Sequence, residues 1–176
     1  MRNALVRRAA ITATLVLLCS LATVQQIRAA GIDTITAYAG TWQSHVVHYK
    51  TAYSKARTET THLRNDCWRS AGYFACDQFL EGASKALIVF TYDTAHNVYH
   101  TYAVPTDGTP ASSGKLLIAG NTWTFPWKDT DKGRTVYGRV VNIFSAPNTI
   151  EYRQEYSYDK AHWTVTARGT EHRLSS

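Results

Sequence analysis

Leu63-Arg-Asn-Asp-Cys67-Trp-Arg-Ser-Ala-Gly72-Tyr-Phe-Ala-Cys76-Asp-Gln-Phe79, followed after a turn by Ala86-Leu-Ile-Val-Phe-Thr-Tyr92, decides how the rest of the chain is read. Eight residues separate the two cysteines and Ala71-Gly72 lies midway between them, so a hairpin sets the thiols opposite one another. In an oxidising compartment such a pair forms a structural disulfide, whereas a redox-active pair wants a Cys-x-x-Cys spacing. Leu87-Ile-Val-Phe90 is apolar on both faces and therefore needs cover outside as well as inside.

The same grammar extends in both directions. Strands are expected over Trp42 to Lys50, Lys55 to Arg64, Cys67 to Leu80, Ala86 to Tyr92 and Val98 to Val104. Further strands are expected over Lys115 to Ala119, Thr122 to Trp127, Thr135 to Phe144, Ile150 to Tyr158 and Trp163 to His172. Turn clusters such as Asp93-Thr-Ala-His-Asn97, Gly120-Asn121 and Asp129-Thr-Asp-Lys-Gly133 separate them, supplying residues that tolerate φ > 0. About ten short strands at regular spacing, without the helices that parallel crossovers need, predict an all-β antiparallel barrel or sandwich.

Alternation sharpens the reading. Trp123, Phe125 and Trp127 share one face of their strand. Tyr152, Gln154, Tyr156 and Tyr158 oppose Glu151, Arg153 and Glu155, and Trp163, Val165, Ala167 and Gly169 oppose Thr164, Thr166, Arg168 and Thr170. The one helical candidate after residue 30 is Ile32 to Ala39, with Ile32, Ile35 and Ala39 on one side, and it is the available lid for the outer face of Leu87-Phe90.

The first thirty residues read differently. Arg2, Arg7 and Arg8 precede an apolar run from Ala9 to Val24, with small residues at Ala29-Ala30. This is the layout of a secretory signal peptide, so the chain divides into a leader over 1–30 and one domain over 31–176, periplasmic or secreted and not membrane-spanning once the leader is cleaved. Four of the nineteen basic residues lie in the leader and all thirteen acids lie after it, so the mature domain carries a net charge of only +2. That balance does not favour a nucleic-acid partner.

A short amino-terminal helix running into Gly40-Thr41-Trp42, the Cys67-Trp68 to Cys76 hairpin, Tyr92-Asp93 with Asn97 and Tyr99, Gly120-Asn-Thr-Trp123-Thr-Phe125 and a closing Trp163 to Arg173 strand together resemble the lipocalin-like (calycin) superfamily. More closely, the set is similar to an uncharacterised family of small secreted bacterial proteins with that fold. The resemblance implies an up-and-down barrel of about ten strands with a cavity for a small apolar ligand, and it implies no catalytic residues. Related haem-binding barrels carry a Gly-rich run after Gly-x-Trp; Gln43-Ser-His-Val46 stands here instead, and no cofactor is expected. An arginine closes the barrel base in many lipocalins, which suggests Arg168 or Arg173 against Trp42.

The candidate chemistry is sparse. His45 and His48 are three apart on a strand and point to opposite faces, so no metal pair is expected there. Glu151 and Glu155 share a face that either lines a polar pocket, as a small hydrolase or isomerase would need, or meets solvent. The ligand-binding candidates are Trp42, Trp123, Phe125, Trp127, Tyr152 and Tyr156; a stripe of this kind fills a barrel core by default and forms a ligand wall as the alternative. No protein partner can be named; a secreted interaction or inhibitor module would use the irregular Pro105 to Gly114 loop. The leading expectation is an exported, non-enzymatic barrel that binds a small apolar molecule.

Overall fold

The computed structural model describes residues 31–175. The expected leader over 1–30, Cys19 included, lies outside them. A 3-10 helix, Ile32–Tyr38, leads into ten strands: β1 (Gly40–His48), β2 (Arg57–Arg69), β3 (Tyr73–Leu80), β4 (Ala83–Asp93), β5 (Val98–Pro105), β6 (Ser112–Ala119), β7 (Thr122–Asp131), β8 (Arg134–Ala146), β9 (Thr149–Ser157) and β10 (Thr164–Ser175). Every strand pairs antiparallel with its chain neighbours, and β10 pairs with β1 to close the barrel. Closure leaves no edge strand to protect. Among the described residues no helix is long and apolar enough to cross a membrane.

The hairpin expected between Cys67 and Cys76 is present: the stretch from Cys67 to Leu80 is split between β2 and β3 by a reversal at Ser70–Gly72, where the Ser70 amide donates to the Tyr73 carbonyl. Cys67 and Cys76 face each other in the β2–β3 register and are joined by a disulfide. β2 shows why the pattern was readable: Glu59, Thr61, Leu63, Asn65 and Cys67 are sheltered while their alternating neighbours are exposed.

Up-and-down topology gives the barrel two unlike ends. At the base, Ile35 of the helix is fully buried among Phe74, Cys76, Phe90, Tyr99, Leu116 and Trp123. Tyr38 meets Phe90 edge-on at 5.4 Å, and Tyr99 both donates its hydroxyl to the Gly31 carbonyl and accepts the Gly31 amide. Truncating Ile35 to Ala here removes the centre of a packed cluster, at a cost of roughly 2–5 kcal/mol. The helix thus plugs the barrel from inside. This corrects the expectation that it covers the outer face of β4, where Leu87 and Val89 remain half-buried without it. The far end is the mouth, bounded by the β1–β2 connection over residues 49–56 and by the β7–β8 and β9–β10 turns.

Candidate functional site

Residues directly opposite each other in adjacent strands share a face, so the register sorts the chemistry of the barrel. The row Trp123–Asn142–Tyr152–Gly169–Val46–Glu59 and the row Trp127–Gly138–Tyr156–Thr164 both run through the inward-facing set. Of the expected ligand residues, Trp42 and Trp123 are 1% and 3% exposed and sit at the base, where Phe144 packs on both at ring-centroid distances of 6.5 and 4.8 Å. Phe125 is half-buried against the same cluster, and Tyr152 lies in the middle of the barrel. Trp127 and Tyr156 reach the mouth.

Trp127 and Tyr156 line a cavity of about 330 Å³ there, together with Tyr53, His48, Lys55 and Arg57. Trp127 owes its position to Gly138. A Cβ on that glycine would lie 1.8 Å from the indole, so the ring crosses the space that any other residue would fill. The roof is the 49–56 connection. Its Thr51 amide donates to the Ser54 carbonyl and the Ser54 hydroxyl to the Tyr49 carbonyl. Tyr53 then spans the opening: its hydroxyl donates to Asp131, lies 2.9 Å from the Tyr158 hydroxyl, and its ring meets Tyr156 edge-on at 4.7 Å. The Tyr158 hydrogen bond and the loss of solvent raise the Tyr53 phenol.

One wall is polar. His48 donates from Nε2 to Glu59 at 2.7 Å and Arg57 donates to the other Glu59 oxygen at 3.0 Å. Arg57 first, then His48, holds the Glu59 carboxyl below its usual range. His45, by contrast, is on the outer face beside Thr60. A second, more open groove of about 470 Å³ runs along the outside of the base by Thr41, Trp68 and Asp77. It lacks a roof, and the mouth is the better-built site.

The carboxylate-in-barrel reading needs a correction. Glu155 pairs with Arg139, and Glu151 with Ile143, on the outward-facing set of β8 and β9. There Glu155 is buried not by the core but by Arg139 at 2.6 Å and Arg153 at 2.8 Å, with Trp163 stacked on Arg139. Glu59 and Glu171, by contrast, face inward. Burial pushes the Glu171 carboxyl up to about 7, and desolvation raises the neighbouring Tyr38 and Tyr152 phenols to about 12. A bulge between Val165 and Ala167 shifts the alternation of β10 by one residue, which corrects the expectation that Val165 shares a face with Ala167 and Gly169. Val165 faces out, and Ala167, Gly169, Glu171 and Arg173 face in.

No protein-family model matches the chain, and no curated protein matches it. Among solved structures the fold is similar to the crystal structure of Rv2717c from M. tuberculosis, with a TM-score of 0.46 and 8% sequence identity, covering 81% of this chain and 96% of that one.

Proposed function

We propose that the chain is exported by its leader and binds a small, largely apolar molecule at the mouth of its barrel, without catalysing a reaction on it. The observation that carries this reading is the arrangement of Trp127, Tyr156 and Tyr53 around one roofed cavity of about 330 Å³. That volume is at the low end of the roughly 300–1,000 Å³ of ligand pockets. Ring burial supplies affinity, and His48 and Arg57 supply orientation. Ile35, Phe90 and Trp123 fill the base, so a ligand is taken up at the mouth and not along the barrel's full depth. The disulfide suits an oxidising compartment. The test is native mass spectrometry of the protein exported by its own host, with solvent extraction of any adduct. Titration of tryptophan emission in the wild type and in Trp127→Phe follows. A discrete adduct and a saturable change that Trp127→Phe abolishes support the reading. A bare mass, with no saturable change across a panel of lipids, fatty acids, porphyrins and small aromatics, removes it.

A secreted interaction module is the second reading, favoured by a row on the outer wall. Trp68, Ala75, Val89 and Tyr102 lie side by side across β2 to β5, with Trp68 43% and Tyr102 44% exposed. Exposed aromatics of this kind anchor protein contacts. Tyr102→Glu, which leaves the barrel interior untouched, should release any partner that co-purifies with the protein. Retention of that partner would end this reading.

A further inference from the structure

We propose that the ligand of the mouth cavity is a planar aromatic monoacid, its carboxylate held by Lys55 and its ring system laid against Trp127 and Tyr156. This rests on the binding reading above and narrows its ligand class. The argument is one of charge and shape. His48, Lys55, Arg57 and Glu155 line the cavity, and Glu59 adjoins it through His48 and Arg57. Glu59 and Arg57 cancel through their ion pair, which also engages His48. Glu155, which touches the same cavity, is already clamped by Arg139 and Arg153. Asp131 is occupied as an acceptor for Tyr53. Lys55 forms no hydrogen bond or ion pair among the described residues, and its ammonium is the surplus charge. A single anion is therefore complementary, and a doubly charged one would leave half its charge unmatched.

Shape sets the remainder. One face of the Trp127 indole lies on the Gly138 backbone, and the residue is still 40% exposed, so ring surface stays open to the cavity. Tyr156 receives the edge of Tyr53 and completes the aromatic wall. Flat apolar bodies bind such walls by stacking, and aromatic pairs contribute beyond the area they bury. A long flexible acyl chain would need depth, and the base beneath is filled by side chains. The Tyr53 hydroxyl contacts with Asp131 and Tyr158 hold the roof beside the ring.

Matched acids and amides separate the two claims. Isothermal titration calorimetry would compare naphthalene-2-carboxylate with naphthalene-2-carboxamide, and benzoate with benzamide, on the disulfide-bonded protein and on Lys55→Met. Lys55 is exposed, so the variant should fold, and circular dichroism checks that it does. The expectation is a preference for the acid of about tenfold or more, of the size a charge-assisted contact gives, abolished by Lys55→Met. Amides binding as tightly as acids, or a preference that survives Lys55→Met, would overturn the acid assignment and leave a pocket for neutral ligands. Absence of binding by every probe would overturn it together with the binding reading.

Discussion

Arg173 lies over the face of Trp42, its guanidinium carbon 4.2 Å from the ring centroid, and donates to the carbonyls of Ala37 and Ala39. The end of β10 thus seals the base and ties the end of the 3-10 helix to the last strand. The flat, forked donor matters, because it stacks on a ring and spans two carbonyls together. Arg173→Met keeps the stem but leaves both carbonyls without this donor, so stability should fall by about 1–3 kcal/mol. A lower urea midpoint checks this, and Arg173→Lys should recover only a fraction of the loss.

Gly138 and Trp127 make the second prediction. A Cβ at position 138 meets the indole at 1.8 Å, so Gly138→Ala must expel the ring from its seat. Overpacking of this kind costs about 1–3 kcal/mol. The change should appear as a shift in tryptophan emission that is absent when Gly138→Ala is made in a Trp127→Phe background. Ligand affinity at the mouth should fall in parallel.

Much of this fold is visible in the residue pattern, and the reason is local. Each strand of a barrel with one buried face must alternate, so β2 and β9 carry their inward set openly in Glu59, Thr61, Leu63 and in Tyr152, Gln154, Tyr156. Arg173 against Trp42 was also anticipated, as one of two arginines. Three things were not legible. The bulge at Thr166 turns Val165 outward while Ala167, Gly169 and Glu171 face inward, and no local composition announces it. The two ends of the barrel differ only because the helix enters one of them, so Trp123 at the base and Trp127 at the mouth look equivalent along β7. The roof residue Tyr53 falls in a connection, and its partners Asp131 and Tyr158 are remote in sequence.

The Cys67–Cys76 bond closes a short loop, with a separation of nine residues. Chain-entropy reasoning assigns it roughly 2–3 kcal/mol. Its position inside the base adds a structural consequence, because Cys76 is fully buried against Ile35. The paired Cys67→Ser, Cys76→Ser variant should lose at least the entropic amount in urea denaturation, and should loosen the helix, read as faster amide exchange over 32–38. Loss of stability with unchanged exchange there would restrict the bond to the hairpin.

Two turns share an Asp-x-Ala-His sequence: Asp93-Thr-Ala-His96 and Asp159-Lys-Ala-His162. In each the aspartate accepts the amides two and three residues on and the imidazole of the histidine. At the mouth, the His162 hydrogen bond first, then the His162 and Ala161 amides, lowers the Asp159 carboxyl, and Asp159 raises His162. The histidine contribution is present below its unfolded pKa and is lost as pH rises through the higher folded value. The aspartate contribution is present above its unfolded pKa and is lost as pH falls through the depressed one. NMR titration should place His162 above an ordinary histidine, and Asp159→Asn should return it to the ordinary range.

Glu171 supplies a pH dependence opposite in sign to that of Asp159. Its carboxyl is raised from 4.5 to about 7 by burial inside the barrel, whereas in the unfolded chain it ionises at its ordinary value. Between these two pH values the folded state holds a proton that the unfolded state has released, so stability falls as pH rises and levels off above about 7. One pKa unit corresponds to about 1.4 kcal/mol, so the whole effect amounts to a few kcal/mol at most. Glu171→Gln keeps the shape and carries no charge. Urea midpoints of the wild type should decline from pH 5 to pH 8 relative to those of the variant, which should therefore be the more stable protein at the alkaline end. Parallel midpoints across that range would mean that the carboxylate is accommodated inside the barrel without penalty, by water or by movement of Tyr38 and Tyr152 toward it.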